Sequence, residues 1–388
     1  MRGAATCFLY RYAPFLSLRN LVLFQKSANR LQRGGGCVKI IAAAASAQAP
    51  YYNKIYSACI MKYSKIAGVD KPVSKIILGT STPAFLRGEN CNALLDCALS
   101  LGINAFDTAR VYGRAEKALG RWLAAPGVRE RAVVISKCCH PDIFGRRRVN
   151  ARAMRADLKK SLSALGTDYI DIYLLHRDDL SVPAGTVVEE LNALHSEGRI
   201  GAFGGSNWTH RRIEEANEYA YKRGLIPFAV SSPNYSLARQ YGDPWGGGVS
   251  ICGEEDAAAR EWYASCGMPV IAYSSLARGV LSGRIKSGEF ERAGKIFDKI
   301  TLKGYVSEEN FLRLRRCEEL AKRPGASVAQ VALAYVLCGK MNAFAVVSCS
   351  SPNRLRDNAG AADIGLTAEE LEWLNLEKDG TYAANNGV

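Results

Sequence analysis

Seven polar side chains in this 388-residue sequence stand where short apolar runs end: Asp107, Lys137, His176, Ser206, Ser232, Tyr273 and Ser348. A carboxylate, an ammonium and an imidazole are groups from which proton transfer and charge stabilisation are assembled. The hydroxyls beside them can hold a polar ligand. Metal chemistry lacks its usual signs. The four histidines, His140, His176, His195 and His210, form no H-E-x-x-H arrangement, and the 12 cysteines include no C-x-x-C pair. Irregular cysteine spacing in a chain this long reads as reduced thiols rather than a disulfide framework.

A repeat can bring these residues together. From Met61 on, short β-branched runs alternate with stretches carrying apolar residues every three or four positions. The runs are Ile76–Gly79, Ala105–Thr108, Val133–Lys137, Ile170–His176, Ala202–Ser206, Phe228–Ser232, Pro269–Tyr273 and Phe344–Val347. Helices are expected near Asn90–Leu101, Ala115–Leu123, Ala151–Leu165, Pro183–Ser196, Arg212–Tyr221, Asp256–Ser265, Val328–Leu337 and Pro352–Ala361. Pro183 suits a first helical turn, where a missing N–H costs nothing. Buried, nearly continuous apolar strands predict an α/β fold, a single closed (β/α)8 TIM barrel, with an open doubly wound sheet as the alternative. Catalytic groups of such barrels gather at the C-terminal ends of the strands, where the seven polar residues fall.

Several local motifs narrow the reading. Asn104-Ala105-Phe106-Asp107-Thr108-Ala109 precedes Val111-Tyr112-Gly113. Ser136-Lys137, Tyr173-Leu174-Leu175-His176, Gly205-Ser206-Asn207-Trp208, Tyr273 to Gly279, and Ser351-Pro352-Asn353-Arg354 with Asn358 follow in order. Together they resemble the aldo-keto reductases over roughly residues 70–380. The resemblance implies a catalytic tetrad of Asp107, Tyr112, Lys137 and His176, and its logic is physical. Reducing a carbonyl with hydride puts negative charge on oxygen, and an acid must neutralise it. Tyr112 is the candidate acid. A free phenol has a pKa near ~10, and the Lys137 cation is expected to lower it. Asp107 would keep Lys137 charged and oriented, and His176 would hydrogen-bond the substrate oxygen.

No G-x-G-x-x-G follows a strand and there is no Walker A loop, so a Rossmann domain is not indicated. The chemistry still needs a hydride source. The resemblance implies NADPH, with NADH the alternative. It assigns Ser206, Asn207 and Ser232 to the carboxamide and Tyr273 to the face of the nicotinamide. It assigns Ser275, Leu276, Gly279 and Leu281 to the pyrophosphate side. Arg354 and Asn358 fall at the adenosine end, where a guanidinium suits a 2′-phosphate. Two positions depart from the common pattern. Ser232 stands where many members carry Gln, and Ser348 where many carry Lys, so the NADPH expectation rests mainly on Arg354.

Composition fits a globular chain, 48% hydrophobic and 23% charged. Of the net charge of +14, residues 1–60 supply +8, because they carry eight Lys or Arg and no acid. The basicity is thus local, and no nucleic-acid partner is expected. Residues 1–60 read as a basic extension, either a start placed too far upstream of Met61 or an acid-poor targeting leader. Residues 61–388 read as the barrel. A cytoplasmic protein is expected, organellar if the leader is genuine. No run reaches about 18 apolar residues, so no membrane partner is expected. The expected partner is a small-molecule carbonyl or alcohol, with the number of subunits left open. Cys138 and Cys139 read as buried packing, Arg146–Arg148 and Arg313–Arg316 as solvated faces, and Trp208 and Trp245 as candidates for the substrate pocket. A different class of function is a regulatory protein on the same fold that keeps the cofactor, as in the potassium-channel β-subunits that resemble these reductases. A non-redox barrel such as a lyase would not need Ser206-Asn207 and Tyr273 together.

Overall fold

The computed structural model describes residues 61–323, 325–378 and 380, and the basic extension lies outside them. Two short strands, β1 (Tyr63–Ser64) and β2 (Val73–Ser74), pair antiparallel. Eight parallel strands follow: β3 (Ile76–Gly79), β4 (Ala105–Asp107), β5 (Val133–Cys138), β6 (Ile170–Leu175), β7 (Ile200–Ser206), β8 (Val230–Ser232), β9 (Val270–Ala272) and β10 (Ala343–Val347). They pair in chain order, and β10 hydrogen-bonds both β9 and β3. The sheet is therefore a closed barrel, and the open-sheet alternative is excluded.

Strand periodicity decides which side chains enter the lumen, since residues i and i+2 share a face. Ile77, Ala105, Val133, Ile135, Ile172, Leu174, Ala202, Val230, Ile271, Phe344 and Val346 form one buried cluster inside the barrel. Their strand neighbours, among them Ile76, Leu78, Phe106, Val134, Tyr173, Leu175, Phe203 and Ala345, join the larger cluster under the helices. Carrying the inward parity to within one residue of the C-terminal end of each strand gives Gly79, Asp107, Lys137, His176, Ser206, Ser232, Tyr273 and Ser348. The polar residues that end apolar runs are thus the topmost interior layer of the barrel. Gly79 is small for a reason: a Cβ there would lie 2.6 Å from Ser348 Oγ.

The helices Ala115–Leu123 and Ala151–Leu165 have the expected bounds. Asn150 starts the second by accepting a bond from the Ala153 N–H, and Gly166 ends it in the left-handed region at φ 65°. Pro183 sits one place earlier than expected, as the N-cap of Ala184–Ser196. Between β9 and β10 the structure adds helices Ala293–Ile296, Lys299–Tyr305 and Glu308–Leu320, which the apolar spacing did not reveal. The run Arg313–Arg316 is not simply a solvated face. Arg313 and Arg316 are buried, Arg313 pairing with Glu309 at 2.6 Å and Arg316 donating to the carbonyls of Trp373 and Lys378. No helix among the described residues is long and apolar enough to cross a membrane.

Candidate active site

β4, β5 and β6 are neighbours, so Asp107, Lys137 and His176 emerge side by side at the barrel mouth. Lys137 Nζ forms an ion pair with Asp107 and donates to the Thr108 carbonyl at 3.0 Å. The two side chains are only 4% and 8% exposed, so this pair lies in the interior rather than in solvent. Tyr112 stands on the turn after β4, which needs a glycine next to it. Gly113 has φ 50°, and a Cβ there would lie 2.7 Å from the Leu86 carbonyl oxygen. Lys137 Nζ lies 5.4 Å from the centroid of the Tyr112 ring. The Tyr112 and His176 rings meet edge-on, 5.6 Å apart at an interplanar angle of 78°. All four residues of the implied tetrad come together.

The electrostatics correct one expectation. Burial lifts the Tyr112 phenol above its ordinary value; Lys137 pulls it down but does not prevail, and Asp107 pushes it further up. The lysine cation acidifies the phenol less than a lone cation would, because Asp107 offsets its field. Tyr112 therefore holds its proton at neutral pH. Burial works against the Lys137 ammonium, but Asp107 and Tyr112 outweigh it and hold its pKa above the usual lysine value. Burial raises Asp107, with Lys137 opposing. His176 is pushed well below the ordinary histidine value by burial, then by the Lys137, Arg177 and His140 charges, so it is neutral.

The next strands carry the residues assigned to a cofactor. Ser206 Oγ donates to the Ser232 carbonyl at 2.9 Å. Asn207, at φ 60°, donates through Nδ2 to the His176 carbonyl at 3.0 Å and to Ser206 Oγ at 3.1 Å. Its Oδ1 accepts from Tyr273 Oη at 2.7 Å and from the Val249 N–H at 3.0 Å. Among the described residues, Ser232 Oγ and His176 Nδ1 are two of the buried polar atoms near the mouth that have no hydrogen-bond partner. Buried polar atoms are rarely left so, and a carboxamide is a group that could satisfy Ser232. A nicotinamide thus fits at Ser232, whose hydroxyl is free, while the Asn207 amide is already engaged at both ends. Beyond β9, Ser274, Ala277 and Arg278 take φ values of 54°, 49° and 53°, a run of left-handed residues that non-glycine chains seldom adopt. Ser275 and Leu281 are fully buried there, and Ser275 Oγ donates to the Ala272 carbonyl at 2.9 Å, so any ligand would meet their backbone. Leu276 is half-buried and Gly279 has φ 100°. Arg354 is exposed in the first turn of Pro352–Ala359, and Asn358 is buried one turn on. This helix follows β10, next to β9, so the two segments rise from adjacent strand ends.

Trp245, a pocket candidate, does stand at the mouth, and His140 and Arg177 there escaped the sequence reading. The His140 ring packs 4.9 Å from that of His176. The loop after β8 reaches across to Asn207 through Val249, and its Trp245 meets the Tyr273 ring at 6.0 Å with the Arg278 guanidinium 5.5 Å from its centroid. Arg177 directly follows His176 and is 9% exposed. A charged residue immediately past an apolar strand was the signal for it, the same one that selected its neighbours. Trp208 leaves the pocket list: it is fully buried, its ring 5.2 Å from that of Phe228. Cys138 and Cys139 are buried packing, as expected.

Comparison with known proteins agrees with this geometry. The sequence pattern described as "Aldo/keto reductase family" matches residues 75–375. The uncharacterized oxidoreductase YrpG of Bacillus subtilis is 29% identical over 330 residues, 81% of this chain and 95% of its own. The aryl-alcohol dehydrogenase GME11368 of Pestalotiopsis microspora is 30% identical over 303 residues, 74% of this chain and 72% of its own. An aryl-alcohol dehydrogenase [NADP(+)] of Phanerodontia chrysosporium is 27% identical over 297 residues, 73% and 74% of the two chains.

Proposed function

This chain belongs to the aldo/keto reductase family, and from that premise we propose that it reduces a small aldehyde or ketone to an alcohol with NADPH, Tyr112 giving the proton. One observation carries the reading: the Tyr112 phenol lies beside both the Lys137 ammonium and the His176 imidazole at the mouth of a barrel. A bound reduced nicotinamide supplies the hydride. Ser206, Asn207 and Ser232 would hold its carboxamide, Tyr273 would lie against its ring, and the backbone of 275–281 with Arg354 and Asn358 would hold its phosphate-bearing end.

The protein's own groups do the rest. As hydride reaches the carbonyl carbon, the π pair moves to oxygen and the Tyr112 O–H bond breaks to protonate it. Lys137, kept charged by Asp107, steadies the phenolate left behind. His176, kept neutral, offers an N–H to the same oxygen. NADP is the form named in one relative, and the exposed guanidinium of Arg354 gives a 2′-phosphate a partner here. Two relatives are named as aryl-alcohol dehydrogenases, which supports small aromatic aldehydes as first substrates to try.

The test is a fluorescence titration with NADPH and NADH, followed by NADPH oxidation in the presence of aromatic and aliphatic aldehydes. Saturable binding that favours NADPH, and aldehyde-dependent oxidation, are expected. Failure of both cofactors to bind would overturn the proposal.

A further inference from the structure

Arg177 is a buried cation that the proposed reaction does not use. The residue is 9% exposed. Of the five N–H donors of a guanidinium, the structure occupies one, by a 3.0 Å bond to the carbonyl of His176, its own neighbour. Among the described residues it makes no ion pair. The acids near it in sequence are engaged elsewhere: Asp178 with Arg212 at 3.3 Å and Asp179 with Arg147 at 2.9 Å. Asp243, on the loop over the mouth, accepts from the N–H groups of Trp245 and Gly248 at 3.0 and 2.7 Å. The buried Arg212 and Arg313 make the contrast, since each is paired with a carboxylate.

Its place is the reaction site. The carbonyl that Arg177 grips also accepts from Asn207 Nδ2. Its aliphatic stem runs beside Gly247 of the covering loop, Cδ lying 3.7 Å from where a Cβ would stand. Its charge is felt at Tyr112, Lys137, His176 and Tyr273. Lys137 is matched there by Asp107, whereas Arg177 has no carboxylate within ion-pair distance among the described residues; the charge of Asp243 also reaches Tyr273, but its oxygens are taken by the Trp245 and Gly248 N–H groups. The free N–H groups of Arg177 are not sealed off as Arg212 Nε and Arg313 Nε are, so a ligand at the mouth can reach them and supply the counter-charge.

We propose that Arg177 selects substrates in which a carboxylate lies a short distance from the carbonyl, the guanidinium binding the carboxylate while Tyr112 faces the carbonyl. A planar fork matches a carboxylate through two parallel hydrogen bonds. One unmatched positive charge calls for a monoanion, and a phosphate dianion would bring one charge too many. This rests on the reductase reading above.

Paired substrates separate the two ideas. With NADPH, kcat/KM is compared for 4-carboxybenzaldehyde against methyl 4-formylbenzoate, and for succinic semialdehyde against butanal. Hydrogen bonds to charged groups predict a preference for the acid of roughly 10- to 100-fold. Arg177→Met brings that ratio to within about threefold of one, and Arg177→Lys keeps part of it, as expected when charge is retained without the fork. Native ratios near one, a ratio unchanged in Arg177→Met, or a preference for 4-formylphenyl phosphate over the carboxylate would each overturn the assignment. So would weaker NADPH binding in Arg177→Met with the ratio intact, which would give the guanidinium to the cofactor. If no aldehyde of either kind is reduced, it is the reductase reading that falls. Should Arg177→Met not fold, benzoate and benzamide are compared as competitors in the native protein: stronger competition by benzoate, weakened by salt, supports the role, and equal competition removes it.

Discussion

Replacing Lys137 with Met keeps most of the aliphatic stem and removes the cation. Asp107 is then left 8% exposed, without its ion-pair partner. Breaking a buried pair from one side costs about 3–5 kcal/mol, and exposure is too low here to discount that figure for solvent screening. The cost depends on pH in a definite direction. In the native protein burial raises Asp107 and Lys137 opposes the rise. Without Lys137 nothing opposes it, so the folded-state pKa climbs further above the unfolded value of ~3.9. A carboxyl raised in the folded state contributes its full stability below the unfolded pKa and loses it as pH rises through the folded one. The deficit of Lys137→Met is therefore smallest near pH ~4 and widens toward pH ~8. Adding Asp107→Asn removes the stranded charge and recovers most of the loss. Urea denaturation at both pH values measures all three variants. A Lys137→Met deficit under about 1 kcal/mol at the higher pH, or a double variant as unstable as the sum of the singles, would refute a buried, coupled pair.

Other outcomes follow from the same geometry. The rate of carbonyl reduction is expected to be level from about pH 6 to 9, because burial keeps His176 neutral on the acid side and Tyr112 protonated on the alkaline side; a pH profile with a break near neutrality would contradict this. Gly204→Ala places a Cβ 1.8 Å from the Val230 carbonyl oxygen, a backbone atom that cannot swing away, and should cost at least about 3 kcal/mol in thermal or urea unfolding. Arg354→Ala should lower the ratio of NADPH to NADH affinity roughly tenfold, read by fluorescence titration, if its guanidinium meets the 2′-phosphate.

The barrel and its mouth were legible in the sequence because strand periodicity is simple. Each apolar run ends in a residue of inward parity, so a polar residue there has to face the lumen. Asp107, Lys137 and His176 could be placed together on that ground. The segment between β9 and β10 resisted the same reading. Glu308–Leu320 carries Arg313 and Arg316 on a buried side, where they bind Glu309 and backbone carbonyls, so its charges hide the apolar stripe. Trp208, expected at the substrate pocket, instead turns its ring into the core against Phe228 after the left-handed residue Asn207. The acidity of Tyr112 could not be read from residue types, because it depends on how far burial and Asp107 offset Lys137. Arg177 carries the same positional signal, but only the structure shows that the acids beside it are taken.

The most direct measurement is single-turnover reduction of an aldehyde by Tyr112→Phe saturated with NADPH. Loss of a positioned acid should slow the step by roughly 10²- to 10⁴-fold while NADPH affinity stays within about twofold of native. Reduction within about threefold of the native rate would show that the proton comes from elsewhere, and Tyr112 would lose its place in the reaction.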